Sequence, residues 1–264
     1  MRKIDAHAHI FPPKIEKVAT EAIREFYNVP CMGHEGSVED LLRSGARAGV
    51  TNYLVFSTAT TPKQVERIND YIISQCAEHS EFFGAGTMHR EYGQIEAELA
   101  RIQHSGIKGI KLHPDFQKFN FDDDLLLPMF DYMQATDMFV ITHAGDYRYT
   151  FSHPERIERI AKMFPKLRII AAHFGGWSQW EMAREILVLP NIYVDTSSTY
   201  VFGGIEQVTA GLKAFPREHI FYGCDFPMWD HKDEADMLAS LGLSDDFLED
   251  IYYNNFAKFI GLEK

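Results

Sequence analysis

Leu167-Arg168-Ile169-Ile170-Ala171-Ala172-His173-Phe174-Gly175-Gly176 carries the pattern from which the fold is read. A short apolar run ends in one polar residue, His173, and breaks at a pair of glycines. An Ile- and Ala-rich run without polar alternation marks a strand buried on both faces, as in a parallel sheet covered by helices. Beyond the break, Ser178 and Glu181 stand at capping-box spacing and open a helix. The same unit recurs along the chain in both directions. Candidate strands are Lys3–Ile10, Thr51–Ser57, Phe82–Met88, Ile107–Leu112, Met138–His143, Leu167–His173, Asn191–Thr196 and Ile220–Asp225, eight in all. Helical periodicity fills the gaps. In Pro154–Phe164 the residues Ile157, Ile160, Ala161 and Phe164 follow i, i+3, i+4, i+7, and Ser152 with Glu155 repeats the capping box. Thr61-Pro62-Lys63-Gln64 opens a helix with a capping Thr and Pro at its first position. Asp122-Asp123-Asp124 reads as an acidic helix N-terminus. An amphipathic stretch from Asp245 to Ile260 closes the chain. Eight strand–helix units in 264 residues predict an α/β fold, a (β/α)8 TIM barrel, as a single domain over residues 1–264. An open doubly wound sheet would place a Gly-rich phosphate turn after its first strand; here that strand ends in histidines.

Composition agrees with a globular domain. Hydrophobic residues make up 45% and charged residues 24%, enough to build a sizeable core. Acidic residues number 38 against 26 Lys+Arg, a net charge of −12. That balance argues against nucleic acid and anionic membranes as partners. No apolar run reaches the length of a membrane span, and the opening Met1-Arg2-Lys3-Ile4-Asp5 lacks the apolar stretch of a signal peptide. Cys31, Cys76 and Cys224 form no Cys-Xaa-Xaa-Cys pair, which suggests reduced thiols and a cytoplasmic location. The expected partner is a small-molecule substrate, with a homo-oligomer left open.

Twelve histidines are the unusual number. In Lys3-Ile4-Asp5-Ala6-His7-Ala8-His9-Ile10, alternation puts Asp5, His7 and His9 on one face. One His-Xaa-His is weak evidence, since about half of one arises by chance in such a chain. The other strands strengthen it. The fourth carries Lys111-Leu112-His113-Pro114, the fifth Thr142-His143-Ala144-Gly145, the sixth His173 and the eighth Cys224-Asp225-Phe226-Pro227. In each, the polar residue stands at or near the end of an apolar strand. In a barrel these ends form one rim, where active sites sit. Buried His, Lys and Asp are costly unless paired or metal-bound, and this set suits zinc or a similar first-row ion. Arg148, between Tyr147 and Tyr149, and Arg90, after the third strand, are candidate substrate-carboxylate clamps. Trp177 is a candidate pocket wall. His34 and Glu35, near Cys31, are weaker candidates for a cover. His79, His89, His104, His153, His219 and His231 read as surface or packing residues, and Cys224 as a buried inert thiol.

The motifs Asp5-Ala6-His7-Ala8-His9, Gly109-Ile110-Lys111-Leu112-His113-Pro114, Thr142-His143-Ala144-Gly145, Ala172-His173-Phe174-Gly175-Gly176 and Gly223-Cys224-Asp225-Phe226-Pro227 together resemble the amidohydrolase superfamily. The branch they resemble is the amidohydrolase-related, aminocarboxymuconate-semialdehyde-decarboxylase-like group of metal-dependent hydrolases. The resemblance spans nearly the whole chain. It implies one divalent metal ion, expected to be zinc, held by His7, His9, His143 and Asp225, with His173 beside it as a polar catalyst. Lys111 is either a carboxylated bridge to a second metal, as in two-metal members, or a substrate-orienting lysine; His113 shares that ambiguity.

The leading expectation is hydrolysis of a lactone, ester or amide through metal-activated water. Asp225 would take the proton from the nucleophile, and His173 would bond the substrate carbonyl or its developing oxyanion. The alternative is non-oxidative decarboxylation of a small unsaturated or aromatic acid, with His173 managing protons. A non-catalytic metal- or ligand-binding barrel is the third reading, because fold alone does not fix function.

Overall fold

The computed structural model describes residues 1–29 and 33–262; Cys31 lies outside the described residues. Its eight strands are β1 (Lys3–His9), β2 (Val50–Phe56), β3 (Phe82–Thr87), β4 (Gly109–Leu112), β5 (Phe139–Thr142), β6 (Arg168–Ala171), β7 (Ile192–Asp195) and β8 (Ile220–Phe221). They neighbour one another in chain order, and each pair is parallel. The sheet then returns to its start. Ala6 N–H donates to Tyr222 O at 2.9 Å, Asp225 N–H to His7 O at 2.9 Å and His9 N–H to Phe226 O at 2.8 Å. The result is the (β/α)8 TIM barrel expected from the sequence, with the open sheet excluded by closure.

The helices are α1 (Glu16–Tyr27), α2 (Val38–Ala48), α3 (Val65–Glu78), α4 (Ile95–His104), α5 (Pro114–Gln117), α6 (Leu127–Ala135), α7 (Pro154–Met163), α8 (Trp180–Ile186), α9 (Thr199–Ala214), α10 (His231–Ala239), α11 (Asp245–Glu249) and α12 (Asn255–Ile260). A π-helical turn, Asp250–Asn254, joins the last two. No helix among the described residues is long and apolar enough to cross a membrane.

The strands are apolar throughout because both of their faces are buried. Val55, Ile110, Val140, Ile169 and Val194 belong to the core shared with the helices. Ile4, Leu54, Phe56, Ile141, Ile170 and Phe221 fill the lumen, and Phe256, Phe259 and Ile260 of α12 join them. Lys108, just before β4, donates to Ile260 O at 3.0 Å. The C-terminal helix thus plugs the end opposite the strand C-termini and leaves the other rim for chemistry.

Three local expectations differ from the structure. The first concerns β1, where Asp5 pairs with Tyr53 but Ala8 with Val55. Three steps on β1 therefore match two on β2, which is a bulge. The bulge changes the side-chain phase. Ile4 and Ala6 enter the lumen, whereas Asp5 faces the helix layer, its Oδ2 2.9 Å from His231 Nε2. Asp5 does not share a face with His7 and His9. The second and third concern the caps of α7 and α8, whose serines have tertiary partners instead. Ser152 Oγ donates to Asp115 Oδ2 at 2.5 Å, and Ser178 Oγ donates to Gly145 O at 3.1 Å. The Thr61 signal does form its cap, with Gln64 Oε1 accepting Thr61 N–H at 2.9 Å and Pro62 at the first position.

Candidate metal centre

A small cavity opens at the C-terminal rim between the ends of β1, β4, β5, β6 and β8. His7, His9, Lys111, His143, His173 and Asp225 line it, with His113 beside them. Tyr27 and Ile23 of α1, with Phe116 and Met228, cover it. The space is about 10 Å³, room for about one water.

The hydrogen bonds around the imidazoles decide which ring nitrogens face inward. His7 Nδ1 lies 2.9 Å from Asp195 Oδ2, so Nδ1 carries the proton and Nε2 presents its lone pair. That Nε2 is 3.2 Å from Lys111 Nζ and 3.4 Å from Asp225 Oδ1. His173 Nδ1 lies 3.1 Å from Ser197 O, an acceptor only, and 2.9 Å from Ser197 Oγ. Its Nδ1 is therefore protonated, and its Nε2 turns inward, 3.2 Å from His143 Nδ1. His9 Nε2 is 3.6 Å from Asp225 Oδ1. Asp225 Oδ2 accepts the Ser198 hydroxyl at 2.5 Å, leaving Oδ1 toward the rings. One ligand-capable atom each from His7, His173 and Asp225 lies within 4.8 Å of the others.

On the other side of His143, one ligand-capable atom each from Asp115, His143 and Asp146, all buried, likewise lies within 4.8 Å of the others. His143 Nε2 is 3.9 Å from Asp115 Oδ2, and neither Nε2 nor Asp115 Oδ1 has a hydrogen-bond partner among the described residues. His113 and His143 stack in parallel, with centroids 4.2 Å apart. His113 Nδ1 accepts Phe116 N–H at 3.3 Å. Its Nε2 therefore carries the proton and donates to Tyr27 Oη at 2.8 Å.

The backbone is strained where these side chains project. His173 (φ 60°) and Asp225 (φ 63°) are both left-handed, a conformation that costs a non-glycine residue energy and recurs at functional sites. Asp225 N–H donates to His7 O at 2.9 Å, holding it there. The β5 and β6 loops touch at glycines: a Cβ on Gly145 (φ +83°) would sit 2.5 Å from Gly176 Cα.

Burial is the largest influence on the charges. It pushes His7, His9, His113 and His143 well below the ordinary imidazole value, with Lys111 or neighbouring imidazoles adding to the effect. Burial also lowers Lys111 to about 8, against the pull of Asp225 and Asp195. It raises Asp115 to about 7. The centre therefore offers neutral imidazoles with inward lone pairs beside a carboxylate. Two facing ring nitrogens 3.2 Å apart call for a shared proton or a cation. This donor set fits a divalent metal ion.

The remaining predicted site residues lie outside this cavity. Arg148 is engaged by Asp146 at 2.6 Å and donates to Phe26 O at 2.6 Å, with its guanidinium over the Phe26 ring. It ties the end of α1 to the rim. Arg90 pairs with Asp123 at 2.9 Å. Trp177 is buried behind the cavity, edge-on to Tyr27 at 5.2 Å. His34 lies between Asp40 and Asp230, and Glu35 is exposed. Asp195, Ser197, Ser198, Asp115 and Tyr27 are residues that sequence reading did not single out. Asp195 ends the apolar strand Ile192-Tyr193-Val194-Asp195, the same signal that marked His143 and His173. Tyr27 carries no such signal, because it sits on a helix.

The model of the amidohydrolase family matches residues 4–262. No curated protein sequence matches the chain. Several solved structures share its fold. One is an uncharacterised TIM-barrel protein from Bordetella bronchiseptica, 18% identical, TM-score 0.77, with 99% of each chain covered. Another is 5-carboxyvanillate decarboxylase from Sphingomonas paucimobilis, 14% identical, TM-score 0.76, covering 98% of this chain and 99% of that one. A third is a dihydroxybenzoic acid decarboxylase from a Polaromonas species with bound manganese and the inhibitor 2-nitroresorcinol. It is 15% identical, TM-score 0.77, covering 99% of this chain and 97% of that one.

Proposed function

The chain belongs to the amidohydrolase family, and from that premise we propose that it is a metal-dependent decarboxylase of a small aromatic or unsaturated acid. The observation that carries this reading is the closed rim cavity, in which Lys111 and a cluster of neutral imidazoles sit beside Asp225 with room for about one water. A buried cation among proton-carrying rings suits capture of a carboxylate and protonation of carbon. The similarity in fold to two decarboxylases supports this reading over the hydrolysis that the sequence put first.

His7, His9, His143 and Asp225 would hold the ion, with His173 beside them. Zinc and manganese both suit this nitrogen and oxygen set. A bound divalent ion supplies Lewis-acid charge for the substrate carboxylate and a neighbouring oxygen. Lys111 Nζ, 3.2 Å from His7 Nε2, orients one of those oxygens. Asp195 fixes the His7 tautomer, and Ser197 fixes that of His173. His173, whose Nδ1 proton is held by Ser197, would take up a proton from solvent at Nε2 as the substrate enters and pass that proton on from the same nitrogen. The proton forms a C–H bond at the carbon bearing the carboxylate, the C–C bond breaks, and its electron pair returns to the ring as CO2 leaves. Tyr27 excludes water, and α1 must withdraw to admit a ring.

Hydrolysis of a lactone, ester or amide is the second reading. Asp225 Oδ1, free of hydroxyl partners, favours it as the acceptor of a water proton. Carboxyl-labelled 2,6-dihydroxybenzoate and 5-carboxyvanillate, tested beside aryl lactones with zinc- and manganese-loaded protein, separate the two. Release of labelled CO2 is expected; lactone opening without CO2 release would overturn the proposal.

A further inference from the structure

A larger cavity of about 610 Å³ lies beside the rim site, between α1 and α3. It is the size of a small-molecule pocket. It shares His9, Ile23 and Phe116 with the rim cavity, so the two meet at a candidate metal ligand. Its walls are mostly apolar, with Ile15, just before α1, and Ala22 and Phe26 of α1 on one side and Ile68 and Tyr71 of α3 on the other. Ile15 is 46% exposed and Val18 is 72% exposed, an apolar surface that solvent covers poorly.

Two polar groups break this lining. Thr58 lines it, and its buried hydroxyl has no hydrogen-bond partner among the described residues. Arg67 lines it, is exposed, and makes no ion pair or hydrogen bond among the described residues. The acids nearest it on α3 are committed elsewhere. Glu66 accepts the Tyr92 hydroxyl at 2.7 Å, and Asp70 accepts Arg101 at 2.8 Å. An unpaired guanidinium beside an apolar cleft is suited to a carboxylate.

We propose that this cavity holds a distal arm of the substrate: an apolar chain or ring ending in an anionic group, with the arm between α1 and α3 and the anion on Arg67. The inference rests on the reading of the rim cavity as the reactive end, and it extends the substrate class to elongated acids charged at both ends. The arm lies under Ile23 of α1, which also covers the rim. Filling the cavity and admitting the reactive head therefore draw on one movement of that helix.

Calorimetric titration with octanoate and with 1-octanol tests the arm site without any reaction. Octanoate supplies chain and anion; octanol supplies the chain alone. Arg67→Gln should weaken octanoate by at least about tenfold and leave octanol unchanged. Ile68→Trp, which fills the cavity, should weaken both. Arg67 is at the surface, so its variant carries the test even if Ile68→Trp fails to fold. Equal octanoate affinity in wild type and Arg67→Gln, or no binding of octanoate at millimolar concentration, would overturn the proposal. Release of CO2 from 2,6-dihydroxybenzoate, which has no arm, reports the reactive end alone. Octanoate binding that depends on Arg67 without CO2 release would retain the arm site and remove the decarboxylase reading.

Discussion

Asp195→Asn should weaken metal binding by roughly 10- to 100-fold while the barrel stays folded. The Asp195 carboxylate is fully buried and meets four donors: His7 Nδ1 at 2.9 Å, His173 N–H at 3.1 Å, Ser197 N–H at 3.2 Å and the Ser197 hydroxyl. Asparagine keeps the shape but has one acceptor oxygen. With that oxygen on the Oδ1 donors, its NH2 meets the His7 Nδ1 proton, donor against donor. His7 must lose that bond or shift its proton to Nε2, the nitrogen that would ligate. A hydrogen bond to a charged group contributes about 1.5–3 kcal/mol. At about 1.4 kcal/mol per decade, that equals the expected loss in affinity. Asp195→Ala is the poorer probe. It strands four buried donors at about 1–3 kcal/mol each, comparable with the whole stability of about 5–15 kcal/mol. Competition against a chromophoric chelator gives the affinity, with thermal unfolding recorded in parallel. A folded Asp195→Asn variant that binds metal as tightly as wild type would refute this reasoning.

Other substitutions probe the neighbouring groups. His173→Ala should keep the fold and lose turnover by at least about 100-fold; loss of bound metal instead would make His173 a ligand. Tyr27→Phe leaves His113 Nε2–H without its partner and should lower the melting temperature, by an amount equivalent to about 1–3 kcal/mol; an unchanged melting curve would contradict the bond. Asp115 makes stability depend on pH. Its folded value is raised to about 7 by burial, so between the unfolded carboxyl value and about 7 the unfolded chain ionises while the folded chain keeps its proton. Stability of the metal-free protein should therefore fall as pH rises through that window, by up to about 1.4 kcal/mol per pH unit. Asp115→Asn should remove this slope, so its melting temperature gains on wild type from pH 4 to 7; a constant offset would argue against it.

The barrel was legible because two-sided burial leaves an unambiguous trace. Ile169-Ile170-Ala171 and Phe139-Val140-Ile141 are apolar on both faces, and each is followed within two residues by a polar rim residue. The misreadings share a cause, which is tertiary contact overriding local pattern. Strict alternation places Asp5 with His7, but a bulge against β2 turns it to His231. Ser152 and Ser178 have capping spacing, yet Asp115 and Gly145 take their hydroxyls. Arg148 looks like a free rim cation, but Asp146 two residues earlier binds it. Tyr27 reaches His113 across 86 residues of chain, a contact no local spacing encodes. Asp195 ends an apolar strand as His143 and His173 follow theirs, but a carboxylate that holds an imidazole shows no histidine pattern of its own.

Release of labelled CO2, titrated against bound metal, tests the rim site most directly. Protein stripped of metal should release none. Activity should rise in proportion to occupancy and level off near one divalent ion per chain. Release at the same rate from stripped and loaded protein would contradict metal-dependent decarboxylation at His7, His9, His143 and Asp225.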